Sequence, residues 1–311
     1  KNYTSYNANM TTNALSQNLT SSGYASQKLS YPVFKPLTYA YNNISTGDAY
    51  TLSQEIKNGN NFYGLNSEQT DSHQMKNSEW GAVAYLSQSK YGLNGINIVI
   101  NNVSLSNNIK GVYGITGCSA DKEDSSAITT TIDSINNRTQ KDIYVWKQEK
   151  GTQSSTTGTI YGIYDFSCGT WERVAAFVNN GHSYLNEYAS SIMELLKDNK
   201  GSKYVNIYPF DDSKDNKSIT NNSDNLNKAI VANYAKNTKI YGDGIRETST
   251  AGIGQTSWYS DFSYFGGLYR PFIERGGYYN DSKEGTGLFS FYGNNGVSHF
   301  FGRFRSVLVS L

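Results

Sequence analysis

The chain has 311 residues, 27 Lys+Arg against 26 Asp+Glu, and a formal net charge of +1. That balance gives no electrostatic ground for a nucleic-acid partner or an anionic membrane, and no apolar run reaches the length of a bilayer span. The length suits one large domain or two ordinary ones.

Tyr occurs 26 times and Pro only 4 times, while charged residues make up 17% of the chain. Asn, Ser, Thr and Gly therefore carry most of the polarity. A neutral surface rich in hydroxyls and amides is common in secreted or cell-surface β-rich proteins, although an AT-rich coding sequence gives the same bias. The sequence opens at Lys1 without Met, so we expect a processed N-terminus preceded by a signal or anchor segment.

Residues 1–30 are polar and weakly patterned and read as a linker or stalk arm. Residues 31–311 read as one domain. "YPVFKPLTYAYNNIS" looks like a strand entering a turn, and "STGDAYTLSQEIKNG" like a short helix capped by Ser45 or Thr46 and ended by Gly59. "TDSHQMKNSEWGAVAYLSQSKYG" gives the clearest helical pattern. Asp71 or Ser72 would cap it, Met75, Trp80, Val83, Ala84 and Leu86 would share one side, and Gly92 would follow it. Asp71-Ser72-His73 reads as the capping turn of that helix, since adjacent turn residues do not converge on one catalytic point.

"INIVINNVSL" alternates like a strand, and "DIYVWKQ" predicts another within a Ser-, Thr- and Asn-rich stretch. "IYGIYDFSCGTWERVAAFV" is a turn leading into a compact apolar segment. An insert at about 180–250 carries two helices, near "YLNEYASSIMELLKD" and "SDNLNKAIVANYAKN". The last seventy or so residues read as short strands and glycine-broken loops. Cys118 and Cys168 could pair in an oxidising compartment or stay free. With only His73, His182 and His299 beside them they do not suggest a structural zinc site.

Four of these stretches, in order, resemble one family. They are "KNSEWGAVAYLSQSKYG", "YGIYDFSCGTWERV" (Tyr161 to Val174), "ERGGYYND" (Glu274 to Asp281) and "RFRSVLV" (Arg303 to Val309). Together they are similar to the signature blocks of the formylglycine-generating-enzyme-like, or sulfatase-modifying-factor-like, branch of the C-type lectin fold. The resemblance covers about residues 31–311, the insert excepted. It implies an α+β domain of C-type lectin-like fold, with a mixed twisted sheet, few helices and long loops. Gly162 and Gly169 would permit tight turns around Tyr164, Phe166 and Trp171. Glu172 would pair with Arg275 or Arg305 in a half-buried ion pair.

The enzymes of that branch use a cysteine pair near the C-terminus, and this chain has no cysteine after Cys168. A related oxygenase group uses a histidine-rich iron motif that three separated histidines do not supply. The Glu-Pro-Asn type of calcium triplet used by sugar-binding lectins is absent. The expectation is therefore no enzyme and no cofactor, with room left for structural calcium on hard oxygen ligands.

The same branch includes the variable proteins of diversity-generating retroelements, which act as bacterial surface or pilus-borne adhesins and phage receptor-binding proteins. Their hypervariable segment lies between the arginine-diglycine block and the final strand, here at about 275–303. Template-adenine mutagenesis can reach Tyr, Asn, Asp, Ser, Gly, His and Phe but not Lys or Glu, so Lys283 and Glu284 would be fixed. By this resemblance the ligand-binding residues are Tyr278, Tyr279, Asn280, Tyr292, Asn294, Asn295, Ser298, His299, Phe300 and Phe301. Tyr for contact area with Ser, Gly and Asn for adaptable hydrogen bonds is a paratope-like composition. Phe289, Phe291 and Phe304 suit the core.

The resemblance thus implies a non-enzymatic adhesin or receptor-binding protein, outside the cell or on a phage particle, recognising a protein or glycan on a cell or phage surface. The rivals are an oxidase or other enzyme of the same branch, and a structural pilus or tail component.

Overall fold

The computed structural model describes residues 44–58, 63–96, 98, 155–164, 166–167, 170–197, 201–213, 223–237, 240–277, 287–299 and 302–311, with two short strands at 113–115 and 143–145. In chain order the elements are α1 (Thr46–Glu55), β1 (Thr70–Gln74), α2 (Asn77–Gln88), β2 (Tyr113–Ile115), β3 (Ile143–Val145), β4 (Trp171–Asn179), α3 (Ser183–Lys197) and α4 (Gly201–Tyr204). They continue as β5 (Asn206–Pro209), α5 (Ser223–Lys236), β6 (Ile253–Gly254), β7 (Ser263–Tyr264), β8 (Phe272–Arg275), β9 (Phe291–Asn294), β10 (Gly302–Phe304) and β11 (Ser306–Ser310).

Local chemistry explains where the helices begin. The Ser45 hydroxyl accepts the Asp48 N–H at 3.1 Å, relieving one of the orphan donors of α1. The Glu79 carboxylate reaches back to accept the Lys76 N–H at 2.8 Å at the head of α2. The helices expected between residues 180 and 240 are α3 and α5, and "DIYVWKQ" contains β3. Most of the "INIVINNVSL" stretch, the segment 1–43, Gly59 and both cysteines lie outside the described residues.

One expectation is overturned. Asp71-Ser72-His73 is not a capping turn but the middle of β1, which pairs antiparallel with β11, Asp71 opposite Val309 and His73 opposite Val307. All five β1 residues are buried, and their polar groups find distant partners. Ser72 Oγ donates to Gln54 O (3.3 Å), Gln74 Nε2 donates to Arg173 O (2.8 Å), and Lys57 Nζ donates to Asp71 (2.9 Å). The predicted apolar face of the helix is also shorter than expected. Trp80 and Ala84 are buried within α2, Met75 is buried but precedes it, and Leu86 is 52% exposed.

A mixed seven-stranded sheet organises the rest, in the order β10-β4-β8-β9-β7-β6 with β5 also on β4. Strand β4 is its spine. β10 runs parallel to its first half and β5 parallel to its second, while antiparallel β8 lines the opposite edge. Eight of its nine residues are buried, because both sheet faces are covered. Val174, Ala176 and Val178 join Trp80, Phe166, Phe265, Phe289 and Phe291 in one cluster. Ala175 and Phe177 join Tyr50, Leu185, Ile192 and Phe272 in the other. The 180–250 segment feeds both, through Leu185 and Ile192 on one side and Tyr208, Ile230 and Tyr234 on the other.

The described fold is thus α+β, with four helices of ten residues or more around a mixed sheet. No helix among the described residues is long and apolar enough to cross a membrane.

Of the two partners open to Glu172, Arg305 is the one that pairs. Its Nε and Nη2 donate to the two carboxylate oxygens at 3.0 and 2.6 Å, a bidentate geometry of the strong kind. Arg275 sits opposite Glu172 in the strand register, yet its guanidinium turns into the core. There it donates to Asn77 Oδ1 (2.7 Å), Ser290 O (2.9 Å), Asp243 O (2.9 Å) and Gly244 O (3.2 Å).

Candidate ligand-binding surface

Strand register places four side chains in one row across the sheet: Arg173 of β4, Glu274 of β8, Tyr292 of β9 and Tyr264 of β7. The two ends of the row have different surroundings.

At the Arg173–Glu274 end the sheet is sealed. After β9 the chain crosses back over this face, and its residues 294–299 are fixed at each step. Gly296 O accepts the Thr46 N–H (3.1 Å), Val297 O accepts Arg173 Nη2 (2.5 Å), and Ile44 bridges to His299. Gly296 takes φ +91, and a Cβ there would meet the Phe272 ring, so only glycine fits the crossing. Beneath it Glu274 is fully buried, 3.6 Å from Arg173 Nη2 and 3.2 Å from His299 Nε2. Burial raises its carboxyl pKa, but His299 and Arg173 outweigh that and hold it below the usual range.

Two of the residues expected to bind ligand, Asn294 and His299, are taken up by this crossing. Asn294 is 7% exposed, and its side chain is spent on the Gly296 N–H (2.7 Å) and on His299 Nε2, 3.2 Å away. The His299 side chain is only 13% exposed. Both residues serve the crossing itself. Asn295 and Ser298 are half-buried, and Asn295 Oδ1 accepts the Val297 N–H at 3.2 Å.

The Tyr292 end is aromatic and partly open. Tyr292 stacks on Trp171 at 5.2 Å between ring centroids, tilts against Tyr264 at 5.3 Å and lies 6.4 Å from Phe262. Arg270 lies 5.2 Å from both the Tyr264 and Tyr292 ring centroids and donates to the Tyr292 hydroxyl. A guanidinium over two electron-rich faces is a cation–π clamp. Burial raises the Tyr292 phenol pKa, and Arg270 offsets part of that rise. Tyr292, Tyr264, Phe262 and Arg270 are half-buried, and only Trp171 is buried. Sequence reasoning placed Trp171 in the scaffold and missed Tyr264, Phe262 and Arg270. Their link to Tyr292 is a parallel pairing of β7 with β9 across 28 residues, for which no local pattern exists.

Tyr278, Tyr279, Asn280, Phe300 and Phe301 lie outside the described residues. Their flanks are described. Gly277 follows the end of β8, and Gly302 opens β10 opposite Trp171. Since Arg275 lies opposite Glu172 in the strand register, both flanks sit at the Trp171 end of the two strands that border β4, where Tyr292 also lies. Among the described residues no group of three or more His, Cys, Asp or Glu is disposed to hold a metal ion. No family model matches the chain, and no curated protein or solved structure matches it either.

Proposed function

We propose that this chain is a non-enzymatic ligand-binding protein, an adhesin or receptor-binding module. Its binding surface is centred on Tyr292 and completed by Tyr278, Tyr279, Asn280, Phe300 and Phe301. On this reading the fold is C-type lectin-like and similar to the retroelement variable proteins, and the ligand is a protein or glycan on a cell or phage surface.

The observation that carries the reading is the Trp171–Tyr292–Tyr264 array with Arg270 clamped on it, at the sheet end flanked by Gly277 and Gly302. Rigid aromatics with two torsions each give contact area at low entropic cost, and a few such anchors dominate most interfaces. Burial as deep as that of Glu274, Asp243 and Asp261 fits groups that hold the scaffold rather than meet substrate.

The test replaces Tyr278, Tyr279, Tyr292, Phe300 and Phe301 together by Ser and compares labelled protein with wild type on a glycan array and on a panel of intact bacterial cells. Wild-type binding that the variant loses, with a thermal midpoint changed by only a few degrees, is the expected outcome. Binding retained by the variant would overturn the assignment, as would a wild type that binds nothing on either panel.

A further inference from the structure

The terminal ribbon presents an open edge of unusual sequence. Arg305 O accepts the Met75 N–H (2.8 Å) and Gln69 O accepts the Leu311 N–H (3.0 Å). Both contacts fix the phase of the β1–β11 ladder. In an antiparallel pair, hydrogen-bonded and non-hydrogen-bonded positions alternate. The odd-numbered residues of β11 therefore bond β1, and Ser306, Leu308 and Ser310 direct their backbone N–H and C=O to the other side. Among the described residues no strand takes that side.

Natural edge strands are blunted by Lys, Pro, bulges or inward charges. Ser306-Val307-Leu308-Val309-Ser310 has none of these and carries no charge. Leu308 is 44% exposed and Val309 43%, so apolar side chains stand in water on both faces of the strand. The five residues also read the same in both directions. A palindrome is self-complementary in an antiparallel pairing about a two-fold axis. With the axis at Leu308, Leu308 meets its own copy, Val307 meets Val309 and Ser306 meets Ser310. The outward-facing residues are the ones such a pairing needs as its hydrogen-bonded positions, so about six new backbone hydrogen bonds would form.

We infer that β11 is a self-association edge, at which a second copy of this chain pairs antiparallel through Ser306–Ser310 to make a two-fold dimer with a sheet continuous through β1, β11 and their copies. An isologous contact of this kind closes on itself. The strand pair alone is small beside the roughly 1,200–2,000 Å² of a stable interface, so the dimer is concentration-dependent. The inference stands independently of the ligand-binding reading.

Sedimentation equilibrium of the full chain over a wide concentration range, with Leu308→Lys and Leu308→Glu variants, tests it. Wild type is expected to pass from monomer to dimer. Each variant alone is expected to weaken association on the order of a hundredfold, because like charges then face each other across the axis. Mixing the two should restore a dimer containing one of each. Circular dichroism and the thermal midpoint establish that both variants fold. Should either fail to, Ser310→Pro serves instead, since it removes an outward N–H and spares the bonds to β1; it should weaken the dimer. A wild type that stays monomeric at all concentrations overturns the proposal. So does a dimer unaffected by these changes, or a failure of the mixed charge variants to associate.

Discussion

Asp261 is a carboxyl group that the fold keeps from water. It is buried under the turn at 287–289, accepts the Phe289 N–H at 2.8 Å, and stands where a Cβ on residue 287 would strike it, so that residue has to be glycine. Burial pushes its pKa up to about 8, with the Phe289 N–H and Arg275 pulling the other way. A raised acid pKa favours the folded state most below the unfolded value near 4. The advantage is lost as pH climbs towards 8, because only the unfolded chain ionises freely in that window. Asp261→Asn keeps an acceptor for Phe289 and removes the charge. Its stability relative to wild type should therefore rise from pH 4 to pH 8 and then level off, by at most about 6 kcal/mol at about 1.4 kcal/mol per pH unit. Urea unfolding of both proteins at several pH values measures the difference. A difference that does not vary with pH would mean that the carboxyl ionises normally in the fold.

At the scale of elements, the sequence made the apolar and capped pieces readable and hid the polar ones. Helix α1 carries its own cap and was legible from local chemistry, whereas β4 was legible only as a compact apolar segment and not as a strand. Strand β1 was not legible. Thr-Asp-Ser-His-Gln has no alternating pattern, and it is held as a strand by β11, more than two hundred residues away. The choice between Arg275 and Arg305 for Glu172 was undecidable for a related reason. Strand register favours Arg275, but Asn77 and the carbonyls of residues 243, 244 and 290 draw its guanidinium away. Among the described residues of the candidate surface, the sequence reading named Tyr292 but not Tyr264, Phe262 or Arg270, and its positions Asn294 and His299 are the fastenings of the crossing segment. That segment is itself testable. Gly296→Ala forces a side chain onto the Phe272 ring and a non-glycine residue into positive φ. The combined cost is roughly 2–5 kcal/mol, read as a clear fall in the thermal midpoint. An unchanged midpoint would show that residues 294–299 are not clamped against the sheet.

Across the whole molecule, buried and half-buried carboxylates join elements that the chain order keeps apart. Asp71 of β1 accepts Lys57 Nζ (2.9 Å) beyond α1 and lies 2.9 Å from Lys203 Nζ and 3.2 Å from the Tyr204 hydroxyl of α4. Glu79 of α2 meets His73 of β1 at 2.9 Å, and Glu274 of β8 faces Arg173 of β4. Burial works against each charge, but the partners prevail. Lys57 and Lys203 hold Asp71 at about 2, and His73 with the Lys76 N–H holds Glu79 below its usual range. A lowered acid pKa contributes stability that is present above the unfolded value near 4 and is lost as pH falls to the folded one. Stability should therefore fall as pH drops below about 4, and for Asp71 the loss runs down to about pH 2. Asp71→Asn isolates one share of it. The variant should be less stable than wild type at pH 6, and the gap should close as pH approaches 2. Because the Lys203 side chain is 66% exposed, part of the gap at pH 6 should also disappear in 1 M salt, where screening acts within about 3 Å. Denaturant midpoints at pH 2, 3, 4 and 6 measure this. A gap of constant size across that range would place the role of Asp71 in packing and hydrogen bonding rather than in its charge.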